Sequence, residues 1–128
     1  MRRYPLAARL LAALWVLTLA ACGGPGRMLE VSPQQTEVRV TASSFSFDPS
    51  HLVARAGETL VLQIHNASGS RHNFTVADPV GKVLRSVELD PRQTVRVEVP
   101  LTLPGVYPFH CAKPLHPTLG MSGRIEAR

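Results

Sequence analysis

Short runs in which every second residue is apolar constrain this chain more than anything else in it. Val38 and Val40 alternate with Glu37, Arg39 and Thr41; Leu60, Leu62 and Ile64 alternate with Val61, Gln63 and His65; Val95, Val97 and Val99 alternate with Thr94, Arg96 and Glu98. Val83 and Val87 fall in a further short run. A period of two puts one face of a strand into a core and the other into water. Turn-forming residues separate the runs: Gly57-Glu58, Asn66 to Ser70, Asp78-Pro79, Asp90-Pro91 and Pro104-Gly105. No helical period is evident after the N-terminal segment. Many short strands at this spacing predict an all-β antiparallel sandwich, without internal repeats.

The first 21 residues have a different composition. Arg2 and Arg3 form a basic start, an apolar run extends from Leu10 to Ala20, and small residues precede Cys22. This is the layout of a bacterial secretory signal, and the run is short for a membrane span. Leu19-Ala20-Ala21-Cys22 resembles the lipobox of bacterial lipoproteins, which implies cleavage before Cys22 and a lipid on its sulfur. The expected organisation is a signal peptide over 1–21, a lipidated Cys22 with a flexible tether over 22–36, and one domain over 37–128. Thirteen flexible residues span about 20 Å end to end. Such a protein is exported and anchored to the cell membrane, facing the periplasm or the cell exterior.

Removal of residues 1–21 leaves 107 residues, enough for one domain. Three arginines and no acid leave with the signal, so 11 basic residues face 9 acidic ones and the net charge falls from +5 to +2. The remaining arginines are scattered, which argues against a nucleic-acid footprint. With Cys22 modified, Cys111 has no disulfide partner. A lone thiol in an oxidising compartment is exposed to damage unless it is buried or bound to metal.

The segment Cys111-Ala-Lys-Pro-Leu-His116-Pro-Thr-Leu-Gly-Met121 spaces a thiolate, an imidazole and a thioether five residues apart. Two imidazoles, a thiolate and a weak axial thioether make a type 1 copper site, whose ligands suit both Cu(I) and Cu(II). His72, in Arg71-His72-Asn73-Phe74, is placed to supply the second imidazole. Alternation over Val106 to Cys111 puts Tyr107, Phe109 and Cys111 on one face, so a core position for Phe109 points Cys111 inward. His72, Phe74 and Val76 likewise share a side. Pro114 and Pro117 stiffen the loop, and Gly120 permits a close turn before Met121. His51 and His65 read as surface residues. His110 faces away from Cys111, as a bystander or as an exit for electrons. Met28 falls in the tether. Pro114, Leu115, Pro117 and Leu119 surround His116 as a cover or an apolar docking patch.

From about Glu37 to Arg128 the chain resembles a cupredoxin. The resemblance rests on Val-Thr-Ala-Ser-Ser-Phe-Ser-Phe-Asp-Pro from Val40, Ala-Gly-Glu-Thr-Leu from Ala56, His-Asn-Phe at His72, Pro-Gly-Val-Tyr-Pro-Phe-His-Cys ending at Cys111, and Gly-Met-Ser-Gly around Met121. It implies a Greek-key sandwich of about eight strands with one type 1 copper held by His72, Cys111, His116 and Met121. Asn73 matches the residue that, in such proteins, ties the two ligand loops together. The Cys-x4-His-x4-Met spacing is similar to that of rusticyanin-like proteins and of the type 1 loop of multicopper oxidases. Ala112 stands where those oxidases carry a second His beside the Cys, no His-x-His pair is present, and only one Cys lies on the loop.

These features imply a non-enzymatic, monomeric electron carrier between protein partners such as a cytochrome, oxidase or reductase. The alternatives are a copper storage or delivery protein, against which the lack of a Met-rich segment weighs, and a metal-free assembly module.

Overall fold

The computed structural model describes residues 26–35, 37–113 and 121–128. Ten strands and no helix lie among them: β1 (Met28–Glu30), β2 (Glu37–Ser43), β3 (Ser46–Asp48), β4 (His51–Ala54), β5 (Thr59–Asn66), β6 (His72–Ala77), β7 (Val83–Leu89), β8 (Thr94–Pro100), β9 (Gly105–His110) and β10 (Ser122–Ala127). One sheet runs β1-β4-β10-β9-β6-β7 and the other β3-β2-β5-β8.

The alternating runs become the inner faces. Val38 pairs with Leu62, which pairs with Val97, and all three are buried. Such rows give each sheet an apolar surface, and each buried Val, Leu or Ile side chain contributes about 2 kcal/mol. The two sheets meet through an aromatic cluster. Phe47 of β3 stands edge-on to Phe74 of β6 at 5.8 Å and to Phe109 of β9 at 5.4 Å, and Phe74 and Phe109 lie 5.2 Å apart. Phe74 follows His72 by two residues and Phe109 precedes Cys111 by two, so the candidate ligands stand on a packed floor. Gly123, opposite Phe109 in the β9–β10 ladder, lets that ring lie flat: a Cβ there would run into the Phe109 ring and the Ser50 carbonyl. Tyr107 is buried, and its hydroxyl donates to the Leu103 carbonyl (2.8 Å) while accepting from the Leu103 amide (2.9 Å), pinning the β8–β9 connection.

The structure departs from the sequence reading in two respects. The sheets are mixed, because β4 pairs in parallel with both β1 and β10 and β2 pairs in parallel with β5. Period-two alternation fixes faces and leaves strand direction open. Residues 26–35, expected within a flexible tether, are folded onto the domain. β1 runs beside β4, the Val31 amide donates to the Val53 carbonyl (2.8 Å), the Arg27 carbonyl accepts from Ser50 and His51, and Arg27 pairs with Asp48 (3.0 Å). β4 thereby gains a partner on its outer side. These two short strands, β1 and β3, raise the number from about eight to ten. Cys22 and the expected signal lie outside the described residues.

Candidate metal centre

Four of the expected site residues are described, and all four are buried: Cys111 0%, Met121 0%, His72 1% and Asn73 4% exposed. Cys111 follows β9 and Met121 precedes β10. Those strands pair antiparallel from Ser122 with His110, and the Cys111 amide donates to the Met121 carbonyl (3.0 Å). The segment between Cys111 and Met121 therefore starts and ends at one hydrogen-bonded rung, which brings thiol and thioether to the same strand ends. β6 lies alongside β9, with Thr75 opposite His110. Its first residues are brought to Cys111: the Asn73 amide donates to Cys111 Sγ (3.3 Å). His116 lies outside the described residues, as do Pro114, Leu115, Pro117, Leu119 and Gly120.

The Asn73 side chain links β6 to the segment after Cys111. Its Oδ1 accepts from the Ala112 amide (3.4 Å) and from Thr75 Oγ1 (2.6 Å), and its Nδ2 donates to Glu88 Oε1 (3.0 Å) and Ser86 Oγ (3.3 Å). Glu88 also pairs with Lys113 (2.8 Å). Lys113 foremost, then Asn73, holds the Glu88 carboxyl below its ordinary value. One carboxylate thus joins the strand beside His72 to the segment that follows Cys111.

His72 is held from the opposite side. Its Nε2 lies 2.8 Å from Ser68 Oγ, in the loop between β5 and β6. The sequence reading took Asn66 to Ser70 as a turn and missed this contact. The available signal was Asn and Ser two residues apart, a pair that builds side-chain-closed turns.

The other histidines are engaged elsewhere. His51 Nε2 meets Glu126 (3.2 Å) and its Nδ1 meets Arg124 (3.2 Å), so it is more enclosed than a surface reading implies. His65 Nδ1 meets Thr94 Oγ1 (2.9 Å). His110 is half-buried. Among the described residues no three His, Cys, Asp or Glu side chains gather to hold a metal ion. The described donors are one thiol, one imidazole and one thioether. All three are buried and at one end of the sandwich, which is soft-donor chemistry that fits copper.

A two-sheet β-sandwich with a buried thiol at the end of its penultimate strand is a cupredoxin arrangement. The cupredoxin-like domain model matches residues 6–125, and the chain belongs to that family. Comparison with curated proteins returned no match. Among solved structures, dithionite-reduced auracyanin from Roseiflexus castenholzii is similar at 17% identity, over 73% of this chain and 98% of that one, with a TM-score of 0.64. Auracyanin A of Chloroflexus aurantiacus, described as a blue copper protein, is similar at 20% identity, over 72% and 99%, with a TM-score of 0.61. A multi-copper oxidase from Pediococcus acidilactici is similar at 18% identity over 78% of this chain and 28% of that one, with a TM-score of 0.60. At these identities the likeness is one of fold.

Proposed function

We propose that this protein is a type 1 copper electron carrier, with His72, Cys111, His116 and Met121 as ligands. The observation that carries the reading is Cys111: fully buried, bonded at Sγ by the amide next to His72, and closed against Met121 through its own amide. Copper, when bound, supplies a one-electron couple. The chain supplies the rest. Cys111 provides the sulfur ligand, held from one side by the Asn73 amide and kept dry by the core. The Phe47, Phe74 and Phe109 cluster fixes the strand ends beneath the ligands, so that donor positions change little with oxidation state. Burial of the three described donors supports a carrier that retains its metal over a protein that hands it on. The auracyanins to which the fold is similar add to that reading, and no catalytic role is assigned. We further infer that the chain is exported and held at a membrane through Cys22, and that it exchanges electrons as a monomer with protein partners.

The test is an optical and electron paramagnetic resonance spectrum of the purified full chain with Cu(II), beside Cys111→Ala. The expected result is an intense thiolate-to-copper band at about 600 nm that the substitution abolishes. Colourless binding that survives the substitution would overturn the proposal.

A further inference from the structure

The N-terminal segment enters the sandwich at the same end as the candidate ligands. β1 runs parallel to β4, and β4 runs parallel to β10. Met121 immediately precedes β10, so all three strands start at the end where Met121 meets Cys111. The register locates the entry point. Met28 stands opposite His51, and His51 stands opposite Arg124, three residues after Met121. Gly26 comes two residues before Met28, which sets it near the level of Ser122. Gly26, Ser50, Ser122 and Gly123 line one groove.

This entry point is held firmly. The Arg27 carbonyl accepts from the amides of Ser50 (3.2 Å) and His51 (3.3 Å), and Arg27 Nε donates to Asp48 (3.0 Å). The Ser50 carbonyl in turn accepts from the Arg124 amide (2.9 Å), so the segment is tied through β4 to the strand that follows Met121.

Three residues lie between Cys22 and Gly26, and that connector reaches at most about 14 Å. The far end of the sandwich lies where Ala54 pairs with Ala127. From Ser122 to Ala127, β10 rises about 17 Å. With a lipid on Cys22, the connector is too short to run past the strands and bring the far end down to the membrane. A body pinned near a wall by one end also has its other end excluded from the wall's side, so that end points outward on average. The gap under the ligand end is narrower than a small soluble domain, which is about 30 Å across.

We propose that the anchor holds the domain with its ligand-bearing end toward the bilayer, and that this end meets a redox protein embedded in the same membrane. The partner gains the one electron that the site loses, or the reverse. The entry point follows from strand register alone; the orientation rests on lipidation of Cys22, and the partner rests on the copper reading above.

The test uses the lipidated full chain in phosphatidylcholine vesicles. Its mass reports the lipid, and an unmodified Cys22 would overturn the proposal at its premise. In the Cys111→Ala background, which needs no copper, a fluorophore is attached through Ser44→Cys or through Arg55→Cys. Position 44 lies in the β2–β3 turn at the ligand end, and position 55 follows β4 at the far end. Energy transfer to a headgroup-labelled acceptor lipid is expected to be stronger from position 44. Equal transfer, or the reverse order, would overturn the orientation. The second part uses the copper-loaded wild type beside a chain with about 40 Gly/Ser residues inserted before Gly26, which span about 35 Å. With both on vesicles, electron exchange with soluble cytochrome c is expected to be several-fold slower for the wild type. Equal rates would overturn the choice of a membrane-embedded partner. Should Cys111→Ala fail to fold, these rates still decide, because they need no substitution in the domain. Absence of a thiolate–copper band in the wild type would sink the copper reading and leave the energy-transfer result standing.

Discussion

Asn66 ends β5 with an amide facing three main-chain carbonyls, and those carbonyls belong to two separate segments, one at Ser70 and the other at Leu89 and Asp90. A turn read from sequence gives no hint of this, because the partners are backbone atoms and have no residue signature. Asn66→Ala would leave the Leu89 carbonyl buried without its donor and the Ser68 amide without its acceptor. The expected loss is about 3 kcal/mol of stability, read as a lower denaturant midpoint at constant slope. Asn66→Asp would set a carboxylate against the same carbonyls and is expected to cost more than Asn66→Ala. A loss under 1 kcal/mol for both would mean that the network is relaxed in solution. Cys111 is the opposite case. Its inward direction was legible, because Tyr107, Phe109 and Cys111 alternate with residues that do not enter the core.

At the scale of elements, strands with several alternating apolar residues were readable and β1 was not. Met28-Leu29-Glu30 is too short to show a period, and it is defined by its pairing with β4. The direction of strand pairing was equally hidden, since parallel and antiparallel neighbours present the same faces. Hydrogen exchange discriminates a folded β1 from a loose leader. The Val31 amide, bonded to the Val53 carbonyl, is expected to exchange at least tenfold more slowly than an unstructured amide, the ratio that a local opening of about 1.4 kcal/mol produces. Exchange at the unstructured rate would return this segment to the status of a tether. The link from Asn73 through Glu88 to Lys113 shows the same limit of sequence reading: β6, β7 and the segment after β9 meet there, and no local pattern announces that they will.

Across the whole fold, three carboxylates among the described residues have a folded state that favours the charged form. Gln63 and Arg96 lower Glu37, Lys113 and Asn73 lower Glu88, and Arg128 and His51 lower Glu126, each below the ordinary value of 4.5. A depressed folded value means stability that is fully present above 4.5 and is lost as pH falls through the folded value. The denaturant midpoint is therefore expected to be insensitive to these groups at neutral pH and to decline below pH 4.5. The Glu37→Gln, Glu88→Gln, Glu126→Gln combination is expected to flatten that decline; parallel curves would show that other groups govern it. The folding of residues 26–35 onto β4 has a consequence for how such a molecule travels. If Cys22 carries a lipid, only three residues lie between the anchor and Gly26, which packs against Ser50 closely enough to exclude a Cβ, and the connecting chain reaches at most about 14 Å. On so short a leash the protein patrols a plane instead of a volume. Its meetings with partners are governed by lateral diffusion, and a partner whose entry port stands far above the bilayer is out of range.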